Sequence, residues 1–186
     1  MKKIAYIAMA AAAMAATPAM AQSATGSVDV TGFVLGKCTA QTPITDSINL
    51  GDLATSAGTI NSTFSANVGG LSRSFTVVCT SANVNITVSS DALNNTTDSS
   101  TSGGYAGRVH YTSTLSANKA GGGAATAAYT TADVLPAATT TALGDRLQNG
   151  TNNITVTVSN GHTTNTGDVL KSGTYNSTIQ ITVSPV

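Results

Sequence analysis

Val84-Asn85-Ile86-Thr87-Val88 alternates apolar and polar side chains at every step, as do Ile154-Thr155-Val156-Thr157-Val158 and Ile179-Gln180-Ile181-Thr182-Val183. A period of two sets Val84, Ile86 and Val88 on one face of an extended chain and Asn85 and Thr87 on the other, so each stretch is a strand with one face for a core. Working outward, Phe75, Val77 and Cys79 share a face within 71–79, and Val109 and Tyr111 share one within 105–115. A short apolar run at Ile48 and Leu50 stops at Gly51-Asp52, a turn signal. Residues 60–68 are a weaker strand candidate, and 129–147 offer two short edge strands broken at Pro136. Residues 89–104 and 117–128 have the composition of exposed loops. About eight short strands separated by turn signals, with no helical period between them, predict an all-β sandwich.

Composition agrees. Charged residues make up 9% of the chain and aromatics 4%, Trp is absent, and all eight acidic residues are Asp. Without Glu, and dense in Thr, Val, Ser, Asn and Gly, the sequence lacks helix formers and is rich in strand and turn formers. The 41% hydrophobic residues fall in ordered alternation, which separates this chain from a disordered one.

Lys2 and Lys3 precede an apolar stretch over about residues 4–16, and Ala19-Met20-Ala21 has a small-x-small cleavage pattern. This predicts a signal peptide over 1–21, a mature chain starting at Gln22, and export through the inner membrane to the periplasm and cell surface. The stretch is shorter than the ~20 residues of a spanning helix, so no membrane insertion is expected after cleavage. Residues 22–186 fit one domain with a real core. Losing Lys2 and Lys3 leaves six basic residues against eight Asp, a net charge near −2, which offers nothing to nucleic acid or an anionic membrane.

The chain has two cysteines. In an oxidising compartment Cys38 and Cys79 are expected to pair, closing a loop worth roughly 4 kcal/mol. The competing use is a metal site combining Cys38 and Cys79 with His110 and His162; no pair among these has close ligand spacing.

Just before Cys38, Gly26-x-Val28-x-Val30-x-Gly32-x-Val34 forms another alternating strip. It is either the first strand of its own sandwich or a strand for another molecule's sheet. Only residues 35–37 separate it from Cys38, and three residues span at most about 11 Å. If the disulfide pins Cys38 inside the sheet, the strip cannot cross to a distant edge of its own domain, which favours donation.

The order of these features resembles the chaperone-usher pilins, and the C-terminal half is similar also to the spore coat protein U group of secreted fimbria-like proteins. The resemblance rests on the strip ahead of Cys38, on Ile48-Asn49-Leu50-Gly51, on Phe75 to Cys79 leading into Val84 to Val88, and on Gly173-Thr174-Tyr175 followed by Ile179, Ile181 and Val183. It spans most of the mature chain. Pilins carry an aromatic penultimate residue where this chain has Pro185, which points away from the type-1 subgroup toward a coat-protein-U-like or divergent pilin. The resemblance implies an immunoglobulin-like pilin-type sandwich over 37–186, lacking its last strand and completed by a donor strand. Residues 22–36 would be the donor extension, with Val28, Val30 and Val34 entering pockets and Gly26 and Gly32 crossing shallow places. Gly173, Tyr175, Ile179, Ile181 and Val183 would form the acceptor edge. The implied partners are identical or related subunits in a homopolymer, a periplasmic chaperone and an outer-membrane usher; the implied product is a fimbria, pilus or surface coat, as in biofilm or attachment.

An enzyme is not expected. There is no G-x-S-x-G elbow, Gly121 to Gly123 lack the Lys of a phosphate loop, and Asp46, Asp52, Asp91, Asp98, Asp133, Asp145 and Asp168 sit in or beside turn-like sequence. His110, out of phase with Val109 and Tyr111, and His162, after the turn signal Asn160-Gly161, are expected at exposed positions. No catalytic residue, cofactor or metal ligand is assigned. The alternative function is a surface adhesin or glycan-binding module using the polar loops 89–104 and 117–128, flanked by Tyr105 and Tyr129.

Overall fold

The computed structural model describes residues 27, 29–41, 43–61, 64 and 71–186. The chain divides into two units, Met1–Phe33 and Val34–Val186. In the first, the described residues 27 and 29–33 form no strand. The expected signal segment 1–21 and the strip residues Gly26 and Val28 lie outside the described residues.

The second unit is all-β. Its strands are β1 (Cys38–Ala40), β2 (Ser72–Phe75), β3 (Val77–Cys79), β4 (Val84–Ser90), β5 (Leu93–Asn95), β6 (Thr101–Ser102) and β7 (Tyr105–Ala106). There follow β8 (Arg108–Asn118), β9 (Ala124–Thr130), β10 (Thr139–Ala142), β11 (Ile154–His162), β12 (Val169–Leu170), β13 (Tyr175–Asn176) and β14 (Ile179–Pro185). One sheet has the order β10-β4-β14; a larger one runs β13-β5-β8-β11-β2, with β9 also on β8. β1 pairs with β3, and β6, β7 and β12 form a small sheet of their own.

The two main sheets face each other in a sandwich-like arrangement. Val84, Ile86 and Val88 of β4 are fully buried in one cluster with Leu115 of β8, Ala127 of β9 and Ile154 of β11. Each such side chain contributes roughly 1.5–3 kcal/mol by leaving water. A second cluster gathers Leu93, Val109, Tyr111, Val158 and Leu170, with the Phe64 ring 6.1 Å from the Tyr111 ring and tilted 42° to it.

Several local expectations change. The strand expected over 71–79 breaks at Thr76: β2 pairs with β11, while β3 pairs with β1. The break is held by Asn153, buried at the head of β11, whose carboxamide accepts from Val77 N–H at 2.9 Å and donates to the carbonyls of Val77 and Gln148 at 2.7 Å each. One side chain thus supplies the bonds a strand neighbour would have made. Residues 117–128 are no loop: β8 runs to Asn118, turns through residues 119–123, and returns as β9 with Ala125, Ala127 and Tyr129 buried. Alanine scores poorly as a strand former, yet its small side chains on the inner face leave room for the larger residues of β4. Residues 89–104 are likewise interrupted by β5 and β6. Of 60–68, Ile60 makes a single bridge to Ala54 and Phe64 has helical backbone conformation; Asn61 is also described, and the rest lie outside the described residues.

Candidate functional site

β14 is bonded along one edge only. Seven of its residues pair with β4, from Ile179 opposite Ser90 to Pro185 opposite Val84, and among the described residues no strand takes its other edge. β2 is the terminal strand of the opposite sheet. Between these two edges lies a groove of about 1420 Å³. One wall is 175–182, the other is the segment 46–54, and the floor is apolar: Phe75, Leu93, Tyr111, Val156, Val158 and Leu170.

The wall opposite β14 joins no strand ladder beyond the single bridge of Ala54 to Ile60. Its turns are made locally, Asn49 Oδ1 accepting from Gly51 N–H at 2.9 Å and Asp52 Oδ1 from Ala54 N–H at 3.0 Å, with Gly51 at φ +68°. Asx turns of this kind replace ladder bonds. Ile48, Leu50 and Leu53 pack half-buried against the second cluster, and Asp46 pairs with Arg73 of β2 at 3.0 Å.

The expected acceptor residues meet here. Gly173, Tyr175, Ile179 and Ile181 line the groove, whereas Val183 lies past its end, half-buried against the main core. Ile179 touches both clusters. Tyr175 is fixed by its hydroxyl, which donates to the Ala106 and Lys171 carbonyls at 3.0 and 2.8 Å. Gly173 has φ +139°, and a Cβ there would come within 2.8 Å of the Asn95 carboxamide; a side chain is excluded on both counts. The Asn95 amide caps this corner by donating to the carbonyls of Lys171 and Ser172. Lys171 in turn bonds Asp98 at 2.7 Å, holding that carboxyl well below the usual carboxylate range. On the floor, burial pushes the Tyr111 hydroxyl up, so it stays protonated while hydrogen-bonded to Ser177 at 2.7 Å.

The donor strip is reached only in part. Val30, 92% exposed, belongs to the first unit with Gly32, and Val34, 80% exposed, opens the second. Phe33 and Leu35 are exposed as well. Sequence reading passed over this second apolar pair because it lies out of phase with the valines. The chain then becomes pinned: Thr80 Oγ1 donates to the Leu35 carbonyl at 2.7 Å and accepts from Lys37 N–H at 3.0 Å, and a Cβ added to Gly36 would lie 3.5 Å from the Pro185 side chain. Residues 35–37 therefore leave the domain at the Pro185 end of β14. This corrects the reach argument, because the edge of β14 expected to act as acceptor begins beside residues 35–37.

Cys38 and Cys79 form a disulfide between directly opposed residues of β1 and β3, which removes both from any metal site. The histidines are not on exposed faces. His110 is buried and His162 half-buried: a bulge carries β11 through Asn160-Gly161 instead of ending it, and Asp133 and Thr164 cover the outer face at His110. A second pocket, about 350 Å³, is lined by Asp91, Asn94, Arg108, Asp133 and Asn176 among others. Among the described residues no helix is long and apolar enough to cross a membrane.

No family model matches the chain, and no curated protein or solved structure is significantly similar to it.

Proposed function

We propose that this chain is an exported structural subunit that polymerises by strand donation, the segment 22–36 of one copy filling the groove of the next to build a fimbria or surface coat. The observation that carries this reading is the apolar groove beside the unpaired edge of β14, together with an exposed apolar strip on the same chain. Under this reading the domain is an immunoglobulin-like pilin sandwich short of one strand, and a periplasmic chaperone and outer-membrane usher handle it before assembly.

The magnitudes suit the exchange. Burying three Val side chains contributes roughly 5–9 kcal/mol, and each new backbone hydrogen bond adds about 1 kcal/mol. Ordering some ten residues opposes this by ~10 kcal/mol or more. The donor alone therefore binds weakly, and tight association depends on what the acceptor gains when the half-buried Phe75, Ile179 and Ile181 leave water. An open apolar edge is also an aggregation hazard, which gives the chaperone its task.

Because the strip leaves the domain beside Pro185, it also has the reach to fold back along its own β14, running parallel to it. Trans donation yields multimers that persist on an unboiled gel; return in cis yields a monomer. Deleting 22–36 is expected to leave a subunit that folds with its chaperone and forms no fibres, and unchanged fibres would refute the donor assignment. The polar pocket at Arg108 and Asp133 favours a second reading, a glycan-binding surface, for which glycan-array binding by the deletion variant is the test.

A further inference from the structure

The only two histidines of the sequence are set opposite each other across the β8–β11 ladder by a bulge. β8 and β11 pair with Ser159 opposite Thr112, and continuing that register would set Gly161 against His110. A one-residue shift, made through Asn160 at φ +57°, sets His162 there instead. The two rings stand with centroids 5.6 Å apart, tilted by 42°.

Each ring has one nitrogen committed. Nδ1 of His162 lies 2.9 Å from the Asn160 carbonyl, which only accepts, so Nδ1 carries the proton and Nε2 the lone pair. Nε2 of His110 lies 3.2 Å from Thr164 Oγ1 and 3.3 Å from Asp133 Oδ1. Facing a carboxylate, Nε2 is the protonated atom, and the lone pair falls on Nδ1. That Nδ1 is buried and has no hydrogen-bond partner, on a side chain 4% exposed. A buried lone pair with no partner is open to a ligand.

One imidazole nitrogen donating to a carbonyl or carboxylate, the other bare, is the state of a metal-ligating histidine. Two imidazoles bound to one ion at about 2.0–2.1 Å in tetrahedral array hold their ring centroids roughly 5 Å apart, close to the separation found here. Imidazole suits zinc, copper and nickel rather than magnesium or calcium.

We propose that His110 and His162 form a two-histidine site for a divalent transition ion, with Asp133 and Asn160 as the outer partners that orient the rings. Among the described residues no three His, Cys, Asp or Glu side chains are placed to hold an ion together. The site is therefore an open one, its remaining positions filled by water or by a ligand from another molecule. The half-buried His162 ring is its solvent side.

The test is titration of the exported, chelator-washed full chain with Zn²⁺ and Ni²⁺, followed by calorimetry and by the imidazole NMR signals. The expected result is one saturable ion per chain, with Zn²⁺ shifting and Ni²⁺ broadening the signals of both rings. His162→Ala should abolish binding while circular dichroism stays that of the parent, and Asp133→Asn should weaken it roughly tenfold or more. Failure of the parent to bind either ion, or equal binding by His162→Ala, overturns the proposal and leaves His110 a neutral core histidine.

Discussion

Val88 and Ile181 are direct partners across the β4–β14 ladder, yet Val88 is fully buried and Ile181 only half-buried. On the β10 side of β4 the sheets close, with Leu115, Ala127 and Leu143 all but inaccessible. On the β14 side the same alternating pattern ends at a groove. Among the described residues β4 has a strand partner on both sides, whereas β14 has one on its β4 side only.

Substitution should expose that contrast. Ile86→Ala on the closed side is expected to cost about 2–5 kcal/mol in urea denaturation whatever the state of assembly, since it opens a cavity in a sealed core. Ile181→Ala should cost about 1 kcal/mol in the isolated subunit and rise toward the closed-side value once the groove is filled. Equal costs in both states would mean that the groove stays empty.

At the junction of the two layers, Asn153→Ala removes three hydrogen bonds and leaves the Val77 N–H and C=O and the Gln148 C=O unmatched. Each buried group left without a partner costs about 1–3 kcal/mol, so a loss at the lower end of their sum is expected, with faster amide exchange in β3. A smaller effect is expected at the rim. The Asp98 carboxyl has a folded pKa below its ordinary 3.8 because of Lys171 and Ser100. Its stabilising contribution is therefore present above about pH 3.8 and is lost as pH falls below it. Amide exchange in 96–100 should quicken there, and Lys171→Met should weaken that acid dependence, Ser100 keeping the remainder.

The alternation in 84–88 and 154–158 was legible because a strand buried on one face writes its geometry into the sequence. β9 was not, since alanines next to a glycine-rich turn carry no periodic hydrophobic signal. His110 was misplaced because alternation identifies which residues share a face and not what covers the other one; Asp133 and Thr164, distant in sequence, do so here. His162 was missed because a bulge and a turn share the Asn-Gly signature. Most residues on the β14 side of the groove were readable from their own alternation, whereas of the opposite wall at 46–54 only Ile48 and Leu50 stood out, because its turns are held by Asx side chains rather than by a ladder.

The most direct measurement is hydrogen exchange along Ile179–Pro185 in the assembled full chain and in a Val30→Asp, Val34→Asp variant. A donated strand predicts alternate amides of β14 strongly protected in the assembled protein, and fast exchange with loss of multimers in the variant. Equal exchange in the two, or multimers that survive both substitutions, would contradict completion of the groove by the leading segment.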